Sequence, residues 1–480
     1  MLYRFLTATL GVLAFTSFAS AEELSISFER YELDNGLEVV LSEDHSTPLV
    51  HVEVWYHVGS KDEPQGRSGF AHLFEHLMFN GSKHWDDEYF TPLQPFGARI
   101  NGTTNTERTN YFETVPSNVL ELALWMEADR MGFLLEALTQ EKLDNQRDVV
   151  RNERRQNYEM RPYGEVRGAQ AEAVWPEDHP YHRLTIGSHE DLEAATLDDV
   201  KEFFATWYVP NNATLAIVGD FDEQQTKAWI EDYFGGFDRG PQPSPILEAS
   251  APLPVAQTIE MTDDVKLPRV FLIWQSMPLY AQGDADLDVL SSLLADGKNS
   301  ALYRSLVFEE RIAKDVRAAQ YSARLGSTYN ITATAAPGKT AEAVLAALEK
   351  KLASLLGGTA ASGKVETTGT DRKKRYPNCT NCAQPRERPE AVLASLDKVQ
   401  TAVNNWKKSF FQRMESVTGR SGLLLTYNNM EGDPGWVQKD LDRYLAVTPE
   451  SVMETARRVL DDAHRVTIIV RPEADAGGER

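Results

Sequence analysis

The spacing of apolar and polar residues predicts a strand followed by a helix near the N-terminal end of the chain. Residues 50–58 (VHVEVWYHV) alternate between apolar and polar positions, as in a half-buried β-strand. Residues 59–69 form a polar, glycine-rich connection, in which Ser68 is a residue type that caps a following helix. A helix with an apolar side is predicted over residues 70–79, because Asn80-Gly81 is a helix-ending signal. This helix is expected to pack under a sheet.

Two histidines and a glutamate lie close together on this predicted helix. His72, Glu75 and His76 are arranged as H-x-x-E-H. Positions i and i+4 share one helical face, so both imidazoles can reach one cation, while Glu75 projects beside them without having to be a ligand. Imidazole nitrogens are common zinc ligands, so the motif indicates a zinc site with a base beside it. The alternative interpretation is a histidine-rich surface helix.

A catalytic zinc needs a third protein ligand and one open position, and Glu153 is a candidate for the ligand. Residues 139–159 predict a polar helix with few apolar positions. Glu153 follows Val149 by four residues and Val150 by three, so its carboxylate falls on the apolar stripe, where a cation would offset the cost of burying a charge. Periodicity alone leaves open whether Glu153 is a ligand or, like Glu141 on the same helix, a solvated charge.

A sequence pattern occurs twice in the chain. Residues 196–200 (TLDDV), a helix and the strand at 213–218 are followed about 250 residues later by residues 448–452 (TPESV), a helix and the strand at 466–470. The chain therefore contains two homologous halves. Each mixes alternating strands with amphipathic helices, which predicts an α+β fold of two α/β-roll domains whose helices pack on a mainly antiparallel sheet.

Composition suggests where these domains begin and end. The proline-rich residues 241–254 are interpreted as a linker between a first domain, residues 22–240, and a second, residues 255–475. Within the second domain, residues 357–389 are polar and rich in glycine and threonine, which is typical of a disordered insertion. The insertion contains Cys379-Thr380-Asn381-Cys382, which fits a local disulfide or two unreactive thiols, with a redox or metal motif as the alternative.

The first residues have the composition of an export signal. Residues 1–21 carry Arg4, an apolar run and then Ala19-Ser20-Ala21, which predicts a signal peptide cleaved before Glu22. No later segment is apolar for long enough to span a bilayer, so no transmembrane anchor is expected. We therefore predict a periplasmic or secreted protein.

The net charge excludes one class of partner. The chain has 49 Lys and Arg residues against 72 Asp and Glu residues, which gives a formal charge of −23. Nucleic acid binding needs a basic face, so nucleic acid is not an expected partner. The acidity is compatible with basic substrates, or it serves only to keep an exported protein soluble.

These features resemble the pitrilysin/insulinase family of zinc metallopeptidases. The family combines H-x-x-E-H with a later glutamate, and here Glu153 follows His76 by 77 positions. The likeness extends to residues 97–104 (GARINGTT), 109–111 (TNY) and 208–213 (YVPNNA), and covers the chain from about Phe28 to Pro472.

The resemblance implies a role for each site residue. His72, His76 and Glu153 would bind one Zn²⁺ per chain, and Glu75 would be the general base in peptide hydrolysis. Gln146 stands where many members have a second glutamate, so it would keep a hydrogen bond near the ligands but lose the charge.

The resemblance also implies how a peptide is held. Residues 98–104 correspond to an edge strand to which the peptide adds as a further strand, and Asn101 and Gly102 are the nearest candidates for contact. The alternative interpretation of Asn101-Gly102 is an ordinary turn.

The second half lacks the metal motif and is expected to be non-catalytic. Residues 287–294 (LDVLSSLL), which correspond to the metal helix, contain no histidine. In relatives with a non-catalytic half, an arginine before the proline that ends a strand helps to hold substrate, together with a tyrosine. Here residues 329–337 have Ala335-Ala336 before the proline. We therefore expect a non-catalytic homologous subunit to supply the pair in a heterodimer, with a homodimer as the competing possibility.

The predicted function is that of a zinc-dependent endopeptidase that cleaves peptides or unfolded segments inside a chamber. Two alternatives stay open. One is a non-enzymatic assembly or scaffold subunit of the same fold, which metal content would distinguish. The other is a zinc hydrolase such as an amidase of non-peptide substrates, which a peptide library would distinguish.

Overall fold

The computed structural model describes residues 23–357 and 395–473. The predicted signal peptide lies outside the described residues, as does the predicted insertion apart from Gly357, and with it both cysteines. The described chain forms two β-sheets covered by helices, which confirms the predicted α+β class.

The first sheet has six strands and the second has five. Those of the first sheet are β1 (Glu29–Glu32), β2 (Glu38–Glu43), β3 (Leu49–Tyr56), β4 (Arg99–Thr104), β5 (Thr109–Pro116) and β6 (Ala213–Gly219). Those of the second sheet are β7 (Gln257–Asp263), β8 (Arg269–Ser276), β9 (Ala313–Tyr321), β10 (Ser327–Ala335) and β11 (Val466–Pro472).

The strand orders of the two sheets show that the halves are homologous. The first sheet runs β1-β2-β6-β3-β5-β4 and the second runs β7-β11-β8-β10-β9. Without β1, the orders correspond strand for strand. In each sheet one parallel pair, β2 with β6 and β7 with β11, is followed by antiparallel pairs. This is the repeat that the sequence predicted, and it gives two mainly antiparallel α/β rolls.

Within residues 23–357 and 395–473 the chain forms thirteen α-helices. They are α1 (Phe70–Leu77), α2 (Leu120–Ala137), α3 (Gln140–Arg154), α4 (Val166–Val174), α5 (His189–Ala194), α6 (Leu197–Trp207), α7 (Glu223–Phe234), α8 (Asp284–Ala295), α9 (Ala341–Leu355), α10 (Leu396–Glu415), α11 (Val417–Glu431), α12 (Val437–Leu445) and α13 (Pro449–Val459). Thr196 and Thr448 each form a capping box at the start of α6 and α13, at matching places in the two halves.

In each half, helices of that half pack on one face of the sheet, and a helix from the other half packs on the opposite face. Helix α11, from the second half, packs on β3 and β6 of the first sheet. Helix α4, from the first half, packs on β8 and β11 of the second sheet. The predicted linker, residues 241–254, contains no helix or strand.

This exchange explains why β3 is more buried than its alternating pattern suggests. Val52 and Val54 face the core of the first half, and Trp55 packs under α11 on the other face. His51 and Glu53, the polar positions of the pattern, are only 2% and 5% exposed. The prediction of a half-buried strand was therefore wrong, because a helix from far along the chain covers the face expected to meet solvent.

Candidate metal centre

A buried carboxyl group fixes the start of α1. Glu63 Oε2 accepts a hydrogen bond from the backbone N–H of Gly69 at 3.0 Å, and Oε1 accepts one from Ala71 at 2.9 Å. Both donors are N–H groups that a helix leaves free at its first turn. The expectation that Ser68 caps this helix was wrong, because its hydroxyl donates to Asp191 at 2.5 Å. Glu63 thus sets the position of the helix just before His72.

Helix α1 turns both histidines toward α3. His72 Nε2 and His76 Nε2 lie 3.6 and 3.4 Å from Glu153 Oε2. One ligand atom from each of the three residues lies within 4.8 Å of the others. Their side chains are 12%, 22% and 35% exposed, so the cluster is open to solvent on one side. The structure therefore brings together the three residues that the sequence predicted as zinc ligands.

A change of helical type orients Glu153. The α3 helix continues as a π-helical turn over Arg155–Glu159, a form of helix that is frequent at functional sites. Asn157 in this turn donates its side-chain N–H to Glu153 Oε1 at 3.1 Å. Oε2 is then the oxygen directed at the two histidines. Val149 is 39% exposed, so of the two positions used to predict burial only Val150 lies in the core.

The Glu75 side chain projects from α1 toward strand β4. Its Oε2 accepts a hydrogen bond from the Thr104 hydroxyl at 2.6 Å. A Cβ on Gly102 would stand 3.1 Å from Glu75 Cγ and 3.0 Å from the Phe79 ring. The absence of a side chain at Gly102 therefore allows the strand to lie directly against the glutamate.

The charges of the cluster suit a cation. Burial lowers the pKa of His72 to about 4, so this ring is neutral at pH 7 and keeps a lone pair for a metal. A hydrogen bond from His76 lowers the pKa of Glu153, which is thus a carboxylate. Among the described residues, the two histidines are the only basic side chains within 4.0 Å of the Glu153 carboxylate. Two imidazoles and a carboxylate are a donor set of the kind that zinc takes, and the residues fit that ion.

The environment of Glu75 differs from that of Glu153. Burial raises the pKa of Glu75, and the hydrogen bond from Thr104 opposes that shift. The two carboxyl groups are therefore displaced in opposite directions from their ordinary range. Such a separation suits one group that stays charged and another that exchanges a proton.

Gln146 contacts the metal helix only indirectly. Its amide donates to the Asn80 side-chain oxygen at 3.2 Å, and the Asn80 amide donates to the His76 carbonyl at 2.9 Å. The link reaches the backbone of α1 rather than a histidine ring. Glu63 and Thr104 were not predicted as site residues, because no local pattern signals a contact between separate elements. Asn80 and Asn157 were not predicted either, although each lies four residues after its partner.

Strand β4 forms one edge of the first sheet. It pairs with β5 alone among the described strands. The alternative interpretation of Asn101-Gly102 as a turn was wrong, since both lie within β4. Successive side chains of a strand face opposite ways, so Gly102 faces α1 and Asn101 faces away from it. Helix α8 occupies the position of α1 in the second half, and β10 covers Ser327–Ala335, where the sequence predicted a strand over residues 329–337.

Comparison with known proteins agrees with the two-sheet fold and its histidine-bearing helix. The sequence profile of the family described as Insulinase (Peptidase family M16) matches residues 38–179, and that described as Peptidase M16 inactive domain matches residues 194–361. The chain belongs to the insulinase family, M16, of peptidases.

Several relatives match nearly the whole chain. This chain is 27% identical over 454 residues to the zinc protease PqqE of Helicobacter pylori, and the aligned region covers 92% of this chain and 93% of that protein. The crystal structure of a protease from Helicobacter pylori matches with a TM-score of 0.79 and 25% identity, over 94% of this chain and 100% of that one. The periplasmic protease PqqL from Escherichia coli matches with a TM-score of 0.70 and 18% identity, over 94% of this chain and 48% of that one. The last likeness shows the fold alone.

Proposed function

We propose that this protein is a zinc-dependent endopeptidase. The observation that carries the proposal is the convergence of His72, His76 and Glu153 within 4.8 Å, with Glu75 on the same helix as the histidines. The relatives named zinc proteases support the same reaction. His72, His76 and Glu153 are proposed as the ligands of one Zn²⁺ per chain.

Glu75 is proposed as the general base. A bound zinc would polarise the scissile carbonyl and lower the pKa of a water molecule. Thr104 holds Oε2 of Glu75, so Oε1 is the oxygen that we assign to accept the proton and to return it to the leaving amine. The raised pKa of Glu75 brings it closer to the pH at which a carboxylate can both take and give a proton.

The peptide is proposed to bind along the free edge of β4. Backbone hydrogen bonds to an edge strand give affinity with little demand on sequence. Gly102 lies beside Glu75, and its lack of a side chain lets a peptide backbone come close to the base. Asn101 is proposed to contact the peptide from the other face of the strand. Peptides and unfolded segments are the substrates that such an edge can take.

Two further proposals concern location and assembly. We propose that the protein is exported, on the basis of the signal-like residues 1–21 and the fold that it shares with the periplasmic protease PqqL. In the part of the chain that the structure describes, no helix has the length and apolar character to cross a membrane. We also propose a homologous non-catalytic subunit as partner, because Ala335 and Ala336 stand where the resemblance leads us to expect an arginine.

The experiment that tests the function combines metal analysis with peptide cleavage. The chain, purified without its predicted signal peptide, is analysed for metal by atomic emission and assayed on a quenched fluorescent peptide pool, with and without a homologous partner. The expected result is about one zinc per chain and cleavage that chelation abolishes and zinc restores. Zinc without peptide cleavage would indicate another hydrolase. The absence of both would indicate an assembly subunit.

A further inference from the structure

A cavity lies between the two halves, on the side of the first sheet opposite to the candidate metal centre. Its volume is about 570 Å³, within the range of small-molecule sites. Tyr111 on β5 faces the core beneath α1, whereas Asn110, the preceding residue, faces the other way and lines the cavity. The remaining walls are formed by helix α11, by the loops at residues 105–108, 279–280 and 322–323, and by Arg413 and Asp440. The sheet therefore separates this cavity from the metal cluster.

The acidic residues that line the cavity already have partners. Glu53 accepts hydrogen bonds from Trp55, Asn110 and Ser421 at 2.5–2.6 Å. The other two acids are also paired: Asp440 with Tyr427 and Arg443, and Glu107 with Tyr181 and Arg324. A ligand that enters the cavity therefore meets carboxyl groups that already have hydrogen-bond or ion-pair partners.

The two arginines that line the cavity, Arg108 and Arg413, form no salt bridge within the described residues. Neither Arg108 nor Arg413 has a carboxylate within 4.0 Å among residues 23–357 and 395–473. Arg108 lies 5.0 Å over the Trp55 ring, and its Nη1 donates to the carbonyl and hydroxyl oxygens of Thr103 at 2.8 and 2.6 Å. Its Nε is buried and has no hydrogen-bond partner. The carboxylates of Glu53 and Glu75 act on Arg108 only from beyond salt-bridge distance. Its guanidinium therefore keeps an unbonded N–H group that can donate to an anion.

The remaining wall is largely apolar. Trp55 and one face of α11, which includes Leu423 and Met430, contribute apolar side chains. On the same face of α11, Gly422 leaves space, because a Cβ added there would meet nothing within 4 Å. The cavity thus combines a cationic end at Arg108 with an apolar wall at which one side chain of a ligand can be accommodated.

We propose that this cavity binds the C-terminal residue of a short peptide. The α-carboxylate would pair with Arg108, and an apolar side chain would lie between Trp55 and the face of α11 at Gly422. Free amino acids share this chemistry, so the experiment compares the two sources. Binding at this cavity can be measured without the peptidase activity, since the two sites are separate.

The cavity is connected to the metal centre through β4. Arg108 holds Thr103, and the adjacent Thr104 donates to Glu75. A carboxylate that draws Arg108 toward the cavity would therefore act on the end of β4 and, through Thr104, on Glu75. Occupation of the cavity is expected to change the rate of cleavage rather than the affinity for zinc.

The test is isothermal titration calorimetry with the whole chain. Leucyl-leucine is compared with leucyl-leucinamide, with free leucine and with inorganic phosphate. Binding of the dipeptide acid at least tenfold tighter than the amide is expected, and free leucine that binds as tightly as the dipeptide would assign the site to amino acids. Equal binding of acid and amide, no binding of any of these carboxylates, or binding of phosphate alone would overturn the proposal.

Variants locate the site. Gly422→Phe fills the cavity and is expected to weaken dipeptide binding at least tenfold, while the matched control Gly422→Ala leaves the space open and keeps binding. Arg108→Gln is expected to weaken the acid but not the amide, and it serves as the second variant if Gly422→Phe does not fold. Unchanged binding in a folded Gly422→Phe and in Arg108→Gln would contradict the assignment. Because no cleavage is measured, the result is separate from the test of peptidase function.

Discussion

Thr104 donates its hydroxyl hydrogen to Glu75 Oε2 across 2.6 Å and thereby joins the last residue of β4 to the candidate base. The same strand offers its free edge to a peptide and carries Gly102 against the glutamate. Substrate binding and proton transfer would therefore depend on one short element. A displacement of β4 is expected to alter both.

Glu75→Gln is predicted to separate metal binding from catalysis. Zinc should stay near one per chain, because Glu75 is not assigned as a ligand. Peptide cleavage should fall by at least about 100-fold, the usual contribution of a general base. Metal analysis and cleavage of a quenched peptide measure the two effects on one preparation. Retained activity would show that another group accepts the proton.

Glu153→Gln is predicted to weaken zinc binding by more than about tenfold, because it removes the one carboxylate of the cluster. Glu141→Gln is the matched control, since Glu141 is exposed on the same helix. Competition with a chelating dye gives the affinities. If both variants bound zinc as tightly as the parent, a different acid would be the third ligand.

Gly102→Ala is predicted to lower kcat roughly tenfold while the protein stays folded. The new methyl group would stand 3.0 Å from Phe79 and 3.1 Å from Glu75 Cγ, so the base or the strand must shift. Gly236→Ala is the control, because a Cβ there meets nothing within 4 Å. Steady-state kinetics and thermal melting distinguish a displaced base from a destabilised fold. Unchanged kcat in Gly102→Ala would argue against close contact at this point.

Glu63→Gln is predicted to change how stability depends on pH. Burial raises the pKa of Glu63 to about 8, above its ordinary value of 4.5. Between these values the unfolded chain ionises while the folded one stays protonated, so the parent should lose stability relative to Glu63→Gln as pH rises. The loss is at most roughly 1.4 kcal/mol per pH unit. Chemical denaturation of metal-free protein from pH 5 to 8 measures it, and a difference that grew in the parent's favour would contradict the assignment.

The purified chain is predicted to have little activity alone. Ala335 and Ala336 leave the second half without the arginine that the resemblance leads us to expect, and groups that position a substrate contribute several kcal/mol. A homologous subunit that lacks H-x-x-E-H but carries Arg and Tyr in its C-terminal half should restore cleavage and co-elute as a heterodimer. A homodimer is the competing outcome. Full activity of the chain without any partner would refute the idea of borrowed residues.

The sequence predicted those parts of the site that depend on local periodicity. His72, Glu75 and His76 lie on one helix, as their spacing predicted. Periodicity left Glu153 open, and the resemblance to the family pattern selected it. Thr104 and Glu63 could not be found in this way, because their contacts depend on how separate elements pack. Asn157 lies four residues after Glu153 on the predicted helix and was missed although the same periodicity applies to it. The error at Ser68 has the same origin as the omission of Glu63, since this buried carboxyl group five residues earlier took the free N–H groups.

The fold class was predictable because the helix and strand pattern repeats, but the exchange of α4 and α11 was not. An amphipathic pattern shows that a helix buries one face without showing which surface it covers. Helix α11 begins 361 residues after the end of β3 and 198 residues after the end of β6, and no pattern near Trp55 records that contact. The apparent surface positions of β3 were misread for this reason.

The exchanged helices also determine the order in which the protein can fold. During synthesis, the outer face of β3 and β6 has no cover until the ribosome has produced α11, late in the chain. An early fragment that ends after the first sheet would expose Val40, Trp55, Ala216 and Val218 as an apolar surface. Long-range closure of this kind gives slow folding with high contact order. The nascent first half would therefore depend on chaperones until the second half is complete.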